Sequence, residues 1–233
     1  MDSDLLAIRK QLIAAGLPPK DQGFIRRYLG TPREVLGVKT ALLKKIARSN
    51  VKVVTASQRS LTNILDDLYA GQSFEERALA GHMLAFSSAV RSQVSYPQLA
   101  RWIQQLQGWA EIDTTCQSSF SAQEVLENWT RWEAWIKQLA HSSAISQRRA
   151  SLVLQIKSLR ESDDPKLSAL ALHTVELLKP EKDILITKAI SWILRGMIKK
   201  HVVMLNEYMQ KEIQSLPKIA AREVTRKLKT GKK

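Results

Sequence analysis

The sequence predicts an all-α fold, and three observations carry that reading. Only nine glycines and seven prolines occur in 233 residues. Alanine, leucine, lysine, glutamate and glutamine, all good helix formers, dominate the composition. Apolar residues recur at intervals of three and four, which is the helical period. Examples are Leu61, Ile64, Leu65 and Leu68; then Leu152, Val153, Ile156 and Leu159; then Ile190, Ile193, Leu194 and Met197.

Turn-forming residues punctuate the chain in order. The breaks are Leu17-Pro18-Pro19, Gly30-Thr31-Pro32, Ala70-Gly71-Gln72-Ser73, Tyr96-Pro97, Ser162-Asp163-Asp164-Pro165, Lys179-Pro180 and Leu216-Pro217. The segments between them are helix-sized. Helices also align on a basic residue followed by a small or apolar stretch, around Lys39, Arg77, Arg149, Lys188 and Arg222. Lys39 to Arg77 is 38 residues, Arg149 to Lys188 is 39, and Lys188 to Arg222 is 34. Arg77 to Arg149 is 72, or two steps of 36. One helix pair with its turns fits such a step, which resembles a HEAT-like α-solenoid with a concave basic face. One solenoid domain is expected over residues 1–228. Residues 229–233 are expected to form a frayed basic tail.

Charge narrows the function. The formal net charge is +14 and the pI is about 10.0. The charge is uneven: net +8 over residues 1–60, −4 over 61–145 and +10 over 146–233. With 44% apolar residues the chain is a folded basic protein, for which a polyanion is the expected partner, nucleic acid before membrane. Cys116 is the only cysteine, so an internal disulfide is excluded and a buried, inert thiol is expected. His82, His141, His173 and His201 form no HxH or HxxxH pair, so no metal site is expected. No GxxxxGK[ST] or GxGxxG motif calls for a nucleotide cofactor. The acidic Met1-Asp2-Ser3-Asp4 start is unlike a secretory signal, and no apolar run approaches a membrane span. A soluble, cytoplasmic protein is expected.

Counting 36 residues from Arg77 lands on Asp113. The predicted basic row of Lys39, Arg77, Arg149, Lys188 and Arg222 would be interrupted by one carboxylate. A basic row suits a phosphate backbone. An acid facing that anion weakens binding and so asks for another role. Trp109 and Asp113 share a helix face at i, i+4, as do Lys188 and Trp192. Aromatic faces can hold a base or sugar, and a carboxylate can stabilise an oxocarbenium-like sugar or orient water against it.

Three blocks carry a family resemblance. They are Gly108-Trp109-Ala110-Glu111-Ile112-Asp113, the run from Gln147 to Gln155, and the run from Ile186 to Arg195 with its Lys-Ala-Ile-x-Trp-x-Leu-Arg pattern. With Tyr28 in Arg26-Arg27-Tyr28-Leu29-Gly30, they resemble the AlkD-type alkylpurine DNA glycosylases, HEAT-like bacterial DNA alkylation repair enzymes. The similarity runs over roughly residues 20–228. It implies a hydrolase that removes cationic N3- and N7-alkylated purines from double-stranded DNA by cleaving the N-glycosidic bond. No lyase step, cofactor or metal is implied, and a monomer, nucleoid-associated when bound to DNA, is expected. Asp113 is the implied catalytic residue. Trp109, Trp192 and Tyr28 are implied to contact the lesion-bearing nucleotide. Arg149 is implied on the DNA backbone, its register favoured over the adjacent Arg148 by the Ala150 and Gln155 that follow. Gly108 stands where members of the family often carry a second bulky aromatic, a loss expected to loosen the cleft or shift lesion preference.

Each residue also has a plainer reading. A single Asp on a helix is usually a solvated group, and a single Trp is usually core. Trp102, Trp129, Trp132 and Trp135 are expected to pack, despite the three-residue ladder of the last three. Lys39, Lys44, Lys45 and Arg77 divide between solvated faces and DNA contacts. A non-catalytic HEAT-like module that binds nucleic acid or an acidic protein is the alternative function, with an RNA-binding solenoid behind it. The Trp109, Asp113 and Trp192 set separates them, since a binding module has no need of it.

Overall fold

The computed structural model describes residues 3–56 and 61–231. Among these residues no strand forms, and a single isolated β-bridge pairs Glu34 with Ser73. The chain divides into two compact units, Met1–Ser119 and Phe120–Lys233.

The first unit runs α1 (Ser3–Ala15), α2 (Gln22–Leu29), α3 (Thr40–Ala56), α4 (Leu61–Tyr69), α5 (Phe74–Phe86), α6 (Ser88–Gln93), α7 (Tyr96–Gln104) and α8 (Gly108–Cys116). The run Leu61, Ile64, Leu65 and Leu68 is buried, as its spacing requires. α5 opens on a capping box: the Ser73 side chain accepts from the Glu76 amide, and the Glu76 carboxylate accepts from the Ser73 amide. The next layer stacks in chain order, α3 against α5 and α5 against α8. Gly81 permits the second contact, because a Cβ there would lie 2.9 Å from the Thr115 backbone. Trp102 is fully buried and stacks on Tyr69. Cys116 is free and buried.

The second unit runs α9 (Ala122–Glu127), α10 (Trp129–Ala140), α11 (Ile145–Val153), α12 (Ile156–Glu161), α13 (Pro165–Leu178), α14 (Ile184–Met197), α15 (Val202–Glu212) and α16 (Lys218–Thr230). α14 is its hub, packed against α11, α12, α13 and α16. Ile186, Ala189, Ile190, Ile193, Leu194 and Met197 bury along it. Trp132 and Trp135 are buried against Phe120, while Trp129 stays half-buried. The last helix reaches Thr230 and ends on left-handed Gly231, so residues 229 and 230 are helical. Lys232 and Lys233 of the expected tail lie outside the described residues.

The aligned residues fall on successive packed helices within each unit. Lys39 is one residue ahead of α3, Arg77 is on α5 and Asp113 on α8. Arg149 is on α11, Lys188 on α14 and Arg222 on α16. Their depths differ. Lys39, Lys188 and Arg222 are exposed, whereas Arg77, Asp113 and Arg149 are buried.

Candidate active site

α8 carries the first unit's site, and a buried polar clamp fixes where α8 begins. Glu111 is fully buried. Its carboxylate accepts from the Thr31 hydroxyl, from Arg33 Nη1 at 3.2 Å and from the Gln107 amide at 2.9 Å. Arg33 Nη2 also donates to the Gln105 carbonyl at 3.2 Å. Arg77 reaches the same carbonyl through Nη1 and the Gly71 carbonyl through Nε. Two arginines and a glutamate thereby hold the turn from Gln105 to Gln107. Burial and the neighbouring Arg33 guanidinium pull Arg77 down to about 10, so it remains charged at neutral pH. Arg77 is 6% exposed and donates to main-chain carbonyls, so its charge serves the turn.

Gly108 is part of the same seat. Its φ is +67°, and a Cβ there would sit 2.1 Å from the Gly30 carbonyl oxygen. Gly30 is itself left-handed, at φ +72°, where it caps α2. Two glycine backbones therefore meet with no room for a side chain. At Gly108 the space next to the Cα is filled by the Gly30 turn.

Trp109 and Asp113 follow on one side of α8. Trp109 is 37% exposed and Asp113 is 6% exposed. The Trp109 indole Nε1 donates to the Tyr28 carbonyl at 2.7 Å. The Tyr28 and Trp109 rings stand at 90° with centroids 5.7 Å apart, the edge-to-face geometry that aromatic quadrupoles favour. Tyr28 is exposed. The first unit thus brings Tyr28, Trp109 and Asp113 to one place, an aromatic rim beside a largely buried carboxylate.

In the second unit Lys188 is exposed and Trp192 half-buried, one turn apart on α14. Glu223 on α16 accepts from Ser191 Oγ at 2.6 Å and pairs with Arg195 at 3.2 Å. This link ties α16, with its exposed Arg222, to the Lys188–Trp192 segment. Arg148 is engaged inside the unit. It makes a two-point contact with Glu181, at 2.7 and 3.1 Å, and donates to the Ser142 and Ser143 carbonyls. Arg149 is buried, and its Nη1 donates to the Leu185 carbonyl. Both arginines brace the start of α14, as Arg33 and Arg77 brace the start of α8.

Sequence reasoning missed Thr31, Arg33, Glu111 and the Gly30–Gly108 contact. Glu111 stood inside the quoted block, but nothing in the sequence shows that its partners lie about 80 residues earlier. Among the described residues, no group of three His, Cys, Asp or Glu side chains could hold a metal ion. No helix among them is long and apolar enough to cross a membrane.

Comparison with known proteins bears on this geometry. The family model for DNA alkylation repair enzymes matches residues 8–228. The chain belongs to the DNA alkylation repair enzyme family. Alkylation damage in DNA is therefore the setting of its activity. Its fold is shared with a solved structure described as a predicted DNA alkylation repair enzyme from Enterococcus faecalis. That match has a TM-score of 0.73 and 17% identity, covering 91% of this chain and 96% of the other. Among curated proteins no sequence match was found.

Proposed function

We propose that this repair enzyme is a monofunctional DNA glycosylase that hydrolyses the N-glycosidic bond of cationic N3- and N7-alkylated purines in duplex DNA. The observation that carries the proposal is Asp113 beside Trp109 and Tyr28, on a helix whose start is clamped by Glu111, Arg33 and Arg77.

The chemistry follows from the lesion. An N7- or N3-alkylpurine carries a positive charge, so when the C1′–N9 bond breaks the electron pair goes to the base and the base leaves neutral. No general acid is needed at that step. Positive charge develops on the deoxyribose ring instead. The Asp113 carboxylate opposes that charge electrostatically, and the faces of Trp109 and Tyr28 offer π-electron density to the cationic nucleotide. Water then adds through oxygen to C1′ and loses a proton, leaving a free base and an abasic site. Low exposure at Asp113 strengthens its field, because water screens a buried carboxylate less than an exposed one.

For the strand, we assign phosphate contacts to the exposed Lys39, Lys188 and Arg222, with Trp192 against the sugar–base edge. Of the Arg148–Arg149 pair we assign Arg149 to the backbone, on the register of the Ala150 and Gln155 that follow it; both arginines also donate to main-chain carbonyls inside the unit. Incubation with methylated duplex DNA, followed by chromatography of released bases, tests the reading. Release of 7-methylguanine and 3-methyladenine, with no release of uracil from a uracil duplex, is the expected result. Efficient uracil release without 7-methylguanine release would contradict it.

A further inference from the structure

α3 carries charge of one sign only. From Lys39 to Ala56 the sequence holds Lys39, Lys44, Lys45, Arg48 and Lys52 and no acid. Lys44, Lys45, Arg48 and Lys52 are exposed. Among the described residues none of these four pairs with a carboxylate. The two acids that open α5, the helix packed on α3, are engaged elsewhere. Glu75 accepts from the Leu36, Gly37 and Val38 amides, and Glu76 pairs with Arg9 at 2.8 Å.

Lys44 and Arg48 stand one turn apart on α3, and both act on His82 of α5. Arg48 Cζ lies 4.4 Å from the Phe86 ring centroid, and that ring stacks beside His82 with centroids 6.3 Å apart. The cation–π contact holds the guanidinium against α5 and leaves its N–H groups without an acceptor among the described residues. His82 is 9% exposed, and among the described residues its ring nitrogens have no hydrogen-bond partner. Burial and the two cations pull it down to about 4, so at neutral pH it is an uncharged N–H donor.

Two cations and one buried donor thus meet at one place with nothing to accept from them. Crowded like charges cost stability, and one anion at the cluster removes that cost. A phosphate diester fits, because its two unbridged oxygens can accept from an ammonium, a guanidinium edge and an imidazole at once. His82 stands five residues beyond Arg77 on α5, about 7.5 Å of helix rise past the residue that braces the start of α8.

We propose that Lys44, Arg48 and His82 together bind one backbone phosphate of the DNA. This rests on the duplex-DNA part of the reading above and not on the glycosylase chemistry. The test is binding across a salt series to a duplex carrying a tetrahydrofuran abasic analogue. Wild type is compared with Lys44→Ala, Arg48→Ala, the two together, His82→Phe and His82→Gln. Lys211→Ala, which removes an exposed charge from the second unit, is the control, and melts check that each variant folds.

The double variant should lower the salt slope by about 0.9, the share of one phosphate. Each single change should lower it by less, because the remaining cation still neutralises that phosphate. His82→Phe should weaken binding about two- to tenfold at constant slope, the worth of one hydrogen bond, and His82→Gln should recover most of the loss. Lys211→Ala should leave the slope unchanged. A slope unchanged in the double variant, or lowered as much by Lys211→Ala, overturns the proposal. So do two single drops of about 0.9 that add, since those are two separate phosphates. Wild-type affinity in His82→Phe overturns the three-residue site. Inorganic phosphate that raises the melting temperature of wild type and not of the double variant, with the DNA slope unchanged in that variant, assigns the cluster to a free anion and overturns the DNA contact. Wild-type duplex binding without salt dependence contradicts the duplex-DNA reading itself, and the proposal with it.

Discussion

The Trp109 indole nitrogen donates to the Tyr28 main-chain carbonyl at 2.7 Å while the two rings meet edge to face. One side chain thereby sets both its own orientation and that of α2. Trp109→Phe keeps an aromatic face and removes the donor. It should cost about 1 kcal/mol of stability, the usual worth of one hydrogen bond. Base release should slow more than that loss explains, because Tyr28 is no longer held. Thermal melting beside single-turnover base release checks both parts.

Gly108 and Gly196 should respond oppositely to alanine. Gly108→Ala combines a left-handed φ with a 2.1 Å approach to the Gly30 carbonyl, and should cost about 2–4 kcal/mol. Gly196 is inside α14, where a Cβ meets nothing closer than 3.7 Å. Gly196→Ala should be neutral or stabilising by up to about 1 kcal/mol. Denaturant melts of the two variants measure the difference.

Two cations aligned by the sequence should separate by experiment. Lys188→Ala removes an exposed charge and should reduce the salt dependence of DNA binding by about one unit of slope, with stability unchanged. Arg77→Ala strands the Gly71 carbonyl, removes one of the two donors to the Gln105 carbonyl and leaves Glu111 short of a nearby cation. It should lower stability by about 2–4 kcal/mol and leave the slope unchanged. Binding titrations across a salt series, with melts alongside, distinguish the two.

Burial, with Lys44 and Arg48 nearby, pulls His82 down to about 4. Arg48 also lies over the Phe86 ring, 4.4 Å from its centroid, and that ring stacks beside His82. The unfolded chain takes up this proton near pH 6.5 and the folded chain only near pH 4. Stability from His82 is therefore full above about 6.5 and falls as pH drops towards 4, by roughly 3 kcal/mol in all. His201, also lowered by burial, adds a loss of the same sign. Melts from pH 7 to 4 should show this decline, and His82→Gln should make it shallower.

The helical class was legible because apolar spacing records burial, as in Leu61, Ile64, Leu65 and Leu68. Two proline breaks turned out to be helix starts. Pro97 and Pro165 occupy first turns, where proline's missing N–H costs nothing. Trp109 and Asp113 were legible from their shared spacing and their block. What places them was not. Thr31, Arg33 and Gly30 act across long sequence separations, and a left-handed glycine reads the same as any other. The basic alignment falls on successively packed helices within each unit, yet sequence carries charge without depth. Lys188 is exposed and Arg77 is spent on carbonyls, although both stood in the same row.

Asp113→Asn is the most direct test of the central claim, since it removes the charge and keeps the shape. Single-turnover release of 7-methylguanine from methylated duplex DNA should fall about 100-fold or more, as when one electrostatic stabiliser is removed from a transition state. Binding to an abasic-analogue duplex should stay within about twofold. Wild-type release rates in the Asn variant would contradict the claim and remove Asp113 from the chemistry.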